Sequence, residues 1–210
     1  MKIVVLFFLL FFATPLFLQA SGGNESPLLA YSKKWANPKY KVCNTAANAG
    51  YMSEEERKVI YILNLVRMDP KLFCETVVMQ AAAISSFIDT SSELYFKTLV
   101  KTLNDMESLP VLYPDSACVV SARCHAVSSG KKGYTGHARQ NEQCRKNTHF
   151  MGECCNYGSD DALEILLLLL DDNGVASLGH RRICLGSYSK VGVAIAPHKS
   201  FVHNAVLDFY

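Results

Sequence analysis

The stretch "SDDALEILLLLLDD", residues 159–172, constrains the fold more than any other part of the chain. Helix-forming residues dominate it, and Ser159 or Asp160 supplies the N-cap. Its apolar residues leave almost no polar face, so the helix must be covered on more than one side. A membrane could cover it, but "LEILLLLL" is well short of the ~20 residues a spanning helix needs and lies between Asp160, Asp161, Asp171 and Asp172. The segment is therefore read as the buried helix of a layered domain. At 210 residues the chain suits one domain with a substantial core.

Periodicity on either side supplies the other layers. Ser53 with Glu56 three residues on forms a capping box, and "RKVIYILNLVR" continues as an amphipathic helix. Asp69-Pro70 stops that helix and opens a second through Phe73 and Val77. "SSELYFKTLVKTLNDM" predicts a third, and Asp115 caps a fourth that carries His125 and closes at Gly130. Residues 131–148 read as a long polar loop, and "HFMGECCNYG" as a short strand. "KVGVAIAPHKSFVHNAVLDFY" alternates, with Val191, Val193 and Ile195 on one face, and returns through Val202 and Val206 as an antiparallel hairpin. Helices first and strands mostly last, without βαβ alternation, predict an α+β domain.

Met1-Lys2, an apolar run interrupted by Thr14 and Pro15, and the small residues from Ala20 to Gly23 predict a secretory signal peptide over residues 1–20. The expected product is secreted, with no stable membrane anchor after cleavage. Residues 21–51, rich in Ser, Gly, Asn and Pro, read as an extended leader that Cys43 ties to the body, and residues 52–210 as the domain. All eight cysteines follow the signal and none forms C-x-x-C, which favours disulfides over zinc knuckles. A formal charge of +2 with mixed signs gives no nucleic-acid footprint.

The familiar catalytic fingerprints H-E-x-x-H, G-x-x-x-x-G-K-[ST] and G-x-S-x-G are absent, and S-x-x-K occurs three times without companion motifs. A dispersed polar set remains: His125, His137, Glu153, Asp171 or Asp172, and His180. His137, Glu153 and His180 each follow a glycine, in "TGHAR", "MGECC" and "LGHRR", where the backbone can turn sharply. Two imidazoles and a carboxylate can hold a divalent ion or act as acid and base around a water. Taken singly, a loop histidine is more often a surface or hydrogen-bonding residue. Glu153, inside an apolar strand, needs a partner when buried. Asp171 and Asp172 stand where the helix dipole disfavours negative charge, and the "DNG" turn accounts for them more simply than a place in a cleft.

"EERKVIYILNLVRMDPKLF", "ARCHA", "GYTGHAR", "MGECCNYG", "GVASLGHRRICL" and "KVGVAIAPH", in this order, resemble the CAP superfamily of cysteine-rich secretory, antigen 5 and pathogenesis-related proteins, in its bacterial-style branch. The resemblance runs from about residue 53 to the C-terminus. It implies a disulfide-stabilised α-β-α sandwich with a central antiparallel sheet, and a cleft holding two histidines and one or two acids. His137 and His180 match the cavity histidines, and Glu153 matches the glutamate of the G-E-N motif. Cys154 stands where Asn is usual, and the second acid has no clean counterpart, Asp171 or Asp172 being nearest. His125 lies outside the cavity set.

The resemblance implies a binding module with Zn²⁺ or another divalent cation on His137 and His180 and Glu153 orienting from behind. Lipid, sterol or protein partners are expected. One alternative is a peptidase- or esterase-like hydrolase using His137, Glu153 and His180. Another is a lipid or sterol carrier whose apolar grooves act without the histidines.

Overall fold

A computed structural model describes residues 25–210, so the signal peptide expected at residues 1–20 lies outside the described residues. Strands β1 (Tyr113–Pro114), β2 (Gly152–Tyr157), β3 (Lys190–His198) and β4 (Val202–Phe209) form one sheet in the order β1-β3-β4-β2. The predicted hairpin is β3–β4, and β2 adds to it antiparallel, with Glu153 opposite Asp208 and Cys154 opposite Leu207. The sheet is mixed rather than wholly antiparallel, because β1 pairs parallel with β3 over two residues. Both edges are therefore occupied by the shortest strands, and among the described residues β2 is left with one free side.

Helices cover both faces of this α+β domain. Helix α1 (Glu54–Met68) starts at the predicted capping box: Glu56 N–H donates to Ser53 Oγ, and Ser53 N–H donates to Glu56 Oε2 at 2.7 Å. After Asp69 come α2 (Pro70–Thr76), α3 (Ala81–Ile84), and a π-turn at Glu93–Lys97 that runs into α4 (Thr98–Asp105). The leucine-rich helix is α7 (Ala162–Asp171), capped by Asp161 rather than by Ser159 or Asp160. Leu163, Ile165, Leu166, Leu167, Leu169 and Leu170 are all buried, among α1, the sheet and α8 (Gly179–Cys184). Burial on several sides is what its apolar surface required.

The opposite face belongs to α5 (Ser116–Lys132), which lies against the small residues Ala194 and Ala196 and against Val206 and Cys155. The sequence places its end at Gly130, but the helix continues to Lys132 and closes on Gly133 at φ 69°. Gly130 serves a different purpose, since a Cβ there would lie 2.1 Å from Pro197 O. Gly192 is equally tight: its Cβ would meet Cys118 C and Val119 N at 2.2 Å, both backbone atoms that cannot swing aside. Gly192→Ala is therefore expected to cost about 1–3 kcal/mol by forcing helix and sheet apart. Urea unfolding of the two proteins measures it, and an unchanged midpoint would contradict the close approach.

Two expectations need correction. Residues 25–51 are not an extended leader: 3-10 turns at Lys33–Ala36 and Pro38–Cys43 pack onto α1 and α2. Trp35 is buried, with Nε1–H donating to Thr76 Oγ1 at 2.9 Å, and Cys43 holds a free thiol beside Met68 rather than a tether. The loop at 131–148 also contains α6 (Glu142–Lys146), joined to α5 by the disulfide Cys124–Cys144. Among the described residues no helix is long and apolar enough to cross a membrane.

Candidate functional site

The site forms around β2, with one half contributed from each side of the sheet. His137 follows α5 in a loop whose shape Gly136 makes possible, at φ 99°. Both backbone groups of that glycine are held: its N–H donates to Tyr157 Oη at 2.9 Å, and its carbonyl accepts from His125 Nε2 at 2.8 Å. His125 is thus a buttress for the loop. Burial, then the nearby Arg139 charge, lowers its pKa and keeps it neutral.

His137 Nδ1–H donates to Glu153 Oε1 at 2.8 Å, and this bond raises the imidazole above its ordinary pKa. Glu153 is buried on β2 while His137 is more than half exposed. Burial alone would push the Glu153 carboxyl up. The His137 hydrogen bond and the adjacent Arg139 guanidinium and Asp208 carboxyl outweigh it and hold the group down at about 2.

The other half is built from α8. His180 lies on this short helix, not in a loop, and its Nδ1–H donates to Asp172 Oδ1 at 2.7 Å. Asp172 closes α7 at φ 60°, a conformation that Asp tolerates better than most residues. That reversal swings its carboxylate to the start of α8, where Oδ2 accepts from the backbone N–H of His180 at 2.9 Å and of Arg181 at 3.3 Å. Leu178 has no side chain that could cap α8, so Asp172 supplies the missing acceptor across the loop. The turn reading of Asp172 is corrected accordingly: its carboxylate serves the histidine and the next helix. Asp171 does not reach His180; it is buried with both carboxylate oxygens unpartnered, and burial raises it to about 6.

The two histidine rings face one another with centroids 6.2 Å apart. Arg181, without an assigned role from sequence, is a buried scaffold residue donating to the carbonyls of Leu170, Asp171 and Tyr95. Cys184 belongs to the core.

Sequence reasoning missed two members of this site. Arg139 is almost fully buried, and its Nη2 reaches Glu153 Oε2 at 2.5 Å and Asp208 Oδ2 at 3.4 Å. Asp208 is wholly buried beside Glu153, and burial followed by the charge of Glu153 raises it to about 8. At neutral pH it is a carboxylic acid buried beside the ionised Glu153. Asp208 carried the same signal as Glu153, a carboxyl inside an apolar strand, and the pairing of β2 with β4 brings the two together.

The sign of the pH effect follows. Between its ordinary 3.8 and about 8, the folded protein binds a proton at Asp208 that the unfolded chain has lost, so stability falls as pH rises through this window. Asp208→Asn retains a neutral donor and removes that loss. It is expected to match the wild-type Tm at about pH 4 and exceed it increasingly up to pH 8–9; parallel Tm profiles would contradict a protonated Asp208.

His125, Glu153 and Cys155 also offer ligand atoms within 4.8 Å of one another, all buried. The Arg139 guanidinium on Glu153 repels a cation there, and burial, then the charge of Glu153, push the Cys155 thiol well up. His137 and His180 need no thiolate, and each ring is backed by a carboxylate. The fold and site define an α+β domain with an accessible histidine pair, each ring oriented by a buried carboxylate. No family model, curated protein or solved structure matches the chain.

Proposed function

We propose that the chain is a CAP-like binding module whose paired histidines hold a divalent cation, Zn²⁺ foremost. One observation carries this reading: each imidazole gives its Nδ1–H to a buried carboxylate, which leaves both Nε2 lone pairs for a ligand. Carboxylate–histidine pairs of this kind orient and strengthen metal-binding imidazoles. An ion about 2 Å from each Nε2 places the ring centres roughly 5–6.5 Å apart, and the observed 6.2 Å fits. Such an ion supplies Lewis acidity at whatever positions the protein leaves open. His137 and His180 would hold it, Glu153 and Asp172 would orient them, and Arg139 and Asp208 keep Glu153 ionised.

The pairing of Glu153 with His137 and Arg139 supports binding over general-base work, so the hydrolase reading ranks below it. Calorimetry with Zn²⁺ on the full chain and on His137→Ala/His180→Ala tests the proposal. Loss of binding in the variant is expected, and equal affinity in both would overturn it. Because Nε2 takes up a proton in competition with the ion, affinity is expected to fall as pH drops through the range of the raised His137.

A second reading rests on a different surface. The outer face of α5 carries an apolar groove of about 440 Å³ lined by Tyr51, Val119, Val120 and Val127, with Arg123 at its side. This supports a lipid or sterol ligand independent of the histidines. Sterol and liposome binding that survives the double histidine variant would favour it, and no binding in either protein would remove it.

A further inference from the structure

Six cysteines are thiols beside the Cys124–Cys144 bond. Four of them face groups other than a thiol. Cys43 Sγ lies 3.3 Å from Met68 Sδ, and Cys74 Sγ accepts from Asn104 at 3.5 Å. Cys118 sits on Asp115, and Cys155 faces His137. The remaining two lie together where α8 packs on β2: Cys154 on β2 and Cys184 on α8 are both fully buried in the same core cluster. Cys154 Sγ also lies 3.6 Å from His180 O, one helical turn before Cys184. Cys154 adjoins Glu153 in sequence but points to the opposite face of the sheet, since neighbouring strand residues alternate.

We propose that Cys154 and Cys184 are oxidised to a second disulfide, a staple that fixes the Glu153–His137 half of the site against the Asp172–His180 half. The oxidant is a small-molecule disulfide such as oxidised glutathione. One cysteine thiolate attacks it and releases one reduced thiol; the second displaces the other thiol as the Cys154–Cys184 bond closes. Two electrons pass to the oxidant, and the two thiol protons end on its released thiols or in solvent. Full burial of both sulfurs bars the oxidant from the folded protein, so the bond forms before α8 docks on β2 and is then shielded from reductants. This inference stands apart from metal binding, because thiols rather than imidazoles are read out.

The test folds the reduced full chain in a mixture of reduced and oxidised glutathione, blocks the remaining thiols, and maps the peptides without reduction. Four blocked cysteines and a peptide joining Cys154 to Cys184 are expected, and Cys155→Ser should keep that link. Closing a loop of about 30 residues should place the oxidised protein about 5–10 °C above Cys184→Ser in Tm. Cys154→Ala replaces that comparison if Cys184→Ser does not fold. Six blocked thiols, a Cys155–Cys184 link, or equal Tm values would each overturn the staple.

Discussion

Arg139→Met is expected to lower folding stability by about 3–5 kcal/mol at neutral pH, the usual cost of removing one partner from a buried ion pair. Arg139 has little solvent to fall back on, and neither do the groups it serves: side-chain exposure is 5% for Arg139, 2% for Glu153 and 0% for Asp208. Without the guanidinium, the Glu153 carboxylate keeps only the His137 hydrogen bond in a site that strongly penalises charge. Methionine matches the length and leaves the contact with Phe150 apolar, so the loss reports charge more than packing.

Two features separate this account from simple misfolding. The penalty should fade as pH falls through the carboxyl range, because protonating Glu153 removes the unpaired charge. Glu153→Gln/Arg139→Met should also be more stable than Arg139→Met alone, a positive coupling that a double-mutant cycle measures. Additive losses, or a single-variant cost below about 1 kcal/mol, would mean that the buried pair is not what holds this corner.

Why Arg139 and Asp208 escaped the sequence reading is a matter of range. Local patterns were legible because their physics is local. The Ser53–Glu56 capping box, the Asp69-Pro70 break, the alternating hairpin and the all-round apolar α7 each depend on residues a few positions apart. The carboxyl pair depends on the register of β2 against β4, which brings residues 153 and 208 together from opposite ends of the second half. Gly130 misled for a related reason: a helix glycine looks like a stop until the sheet passing within contact distance supplies another cause. In the same way, the polar composition of residues 21–51 concealed Trp35 and Tyr40, which reach the core from short 3-10 turns.

His137, Glu153 and His180 were legible as candidates through their preceding glycines, yet nothing local showed that two of them meet. The meeting depends on α8 and the His137 loop approaching β2 from different sides. One backbone angle decided between Asp171 and Asp172. Continued helical geometry would have left the second aspartate pointing along α7; the left-handed turn at residue 172 redirects it to α8.

That choice gives the sharpest test of the site. Asp172→Asn is expected to weaken Zn²⁺ binding about 10- to 100-fold, the usual effect of removing a carboxylate behind a metal-binding histidine. Asparagine tolerates the left-handed conformation, so the chain reversal survives. Its single oxygen cannot serve both His180 Nδ1–H and the two backbone donors of α8, which Asp172 shares between Oδ1 and Oδ2. The lost cap should cost a further 0.5–2 kcal/mol or so in stability. Asp171→Asn is the matched control, one residue away and equally buried. It touches no histidine, so affinity should not change, and removing a carboxyl raised to about 6 should make the variant gain on wild type as pH rises through that value. If Asp171→Asn weakens zinc binding while Asp172→Asn leaves it intact, the carboxylate behind His180 has been misassigned, and the paired-histidine site loses its second support.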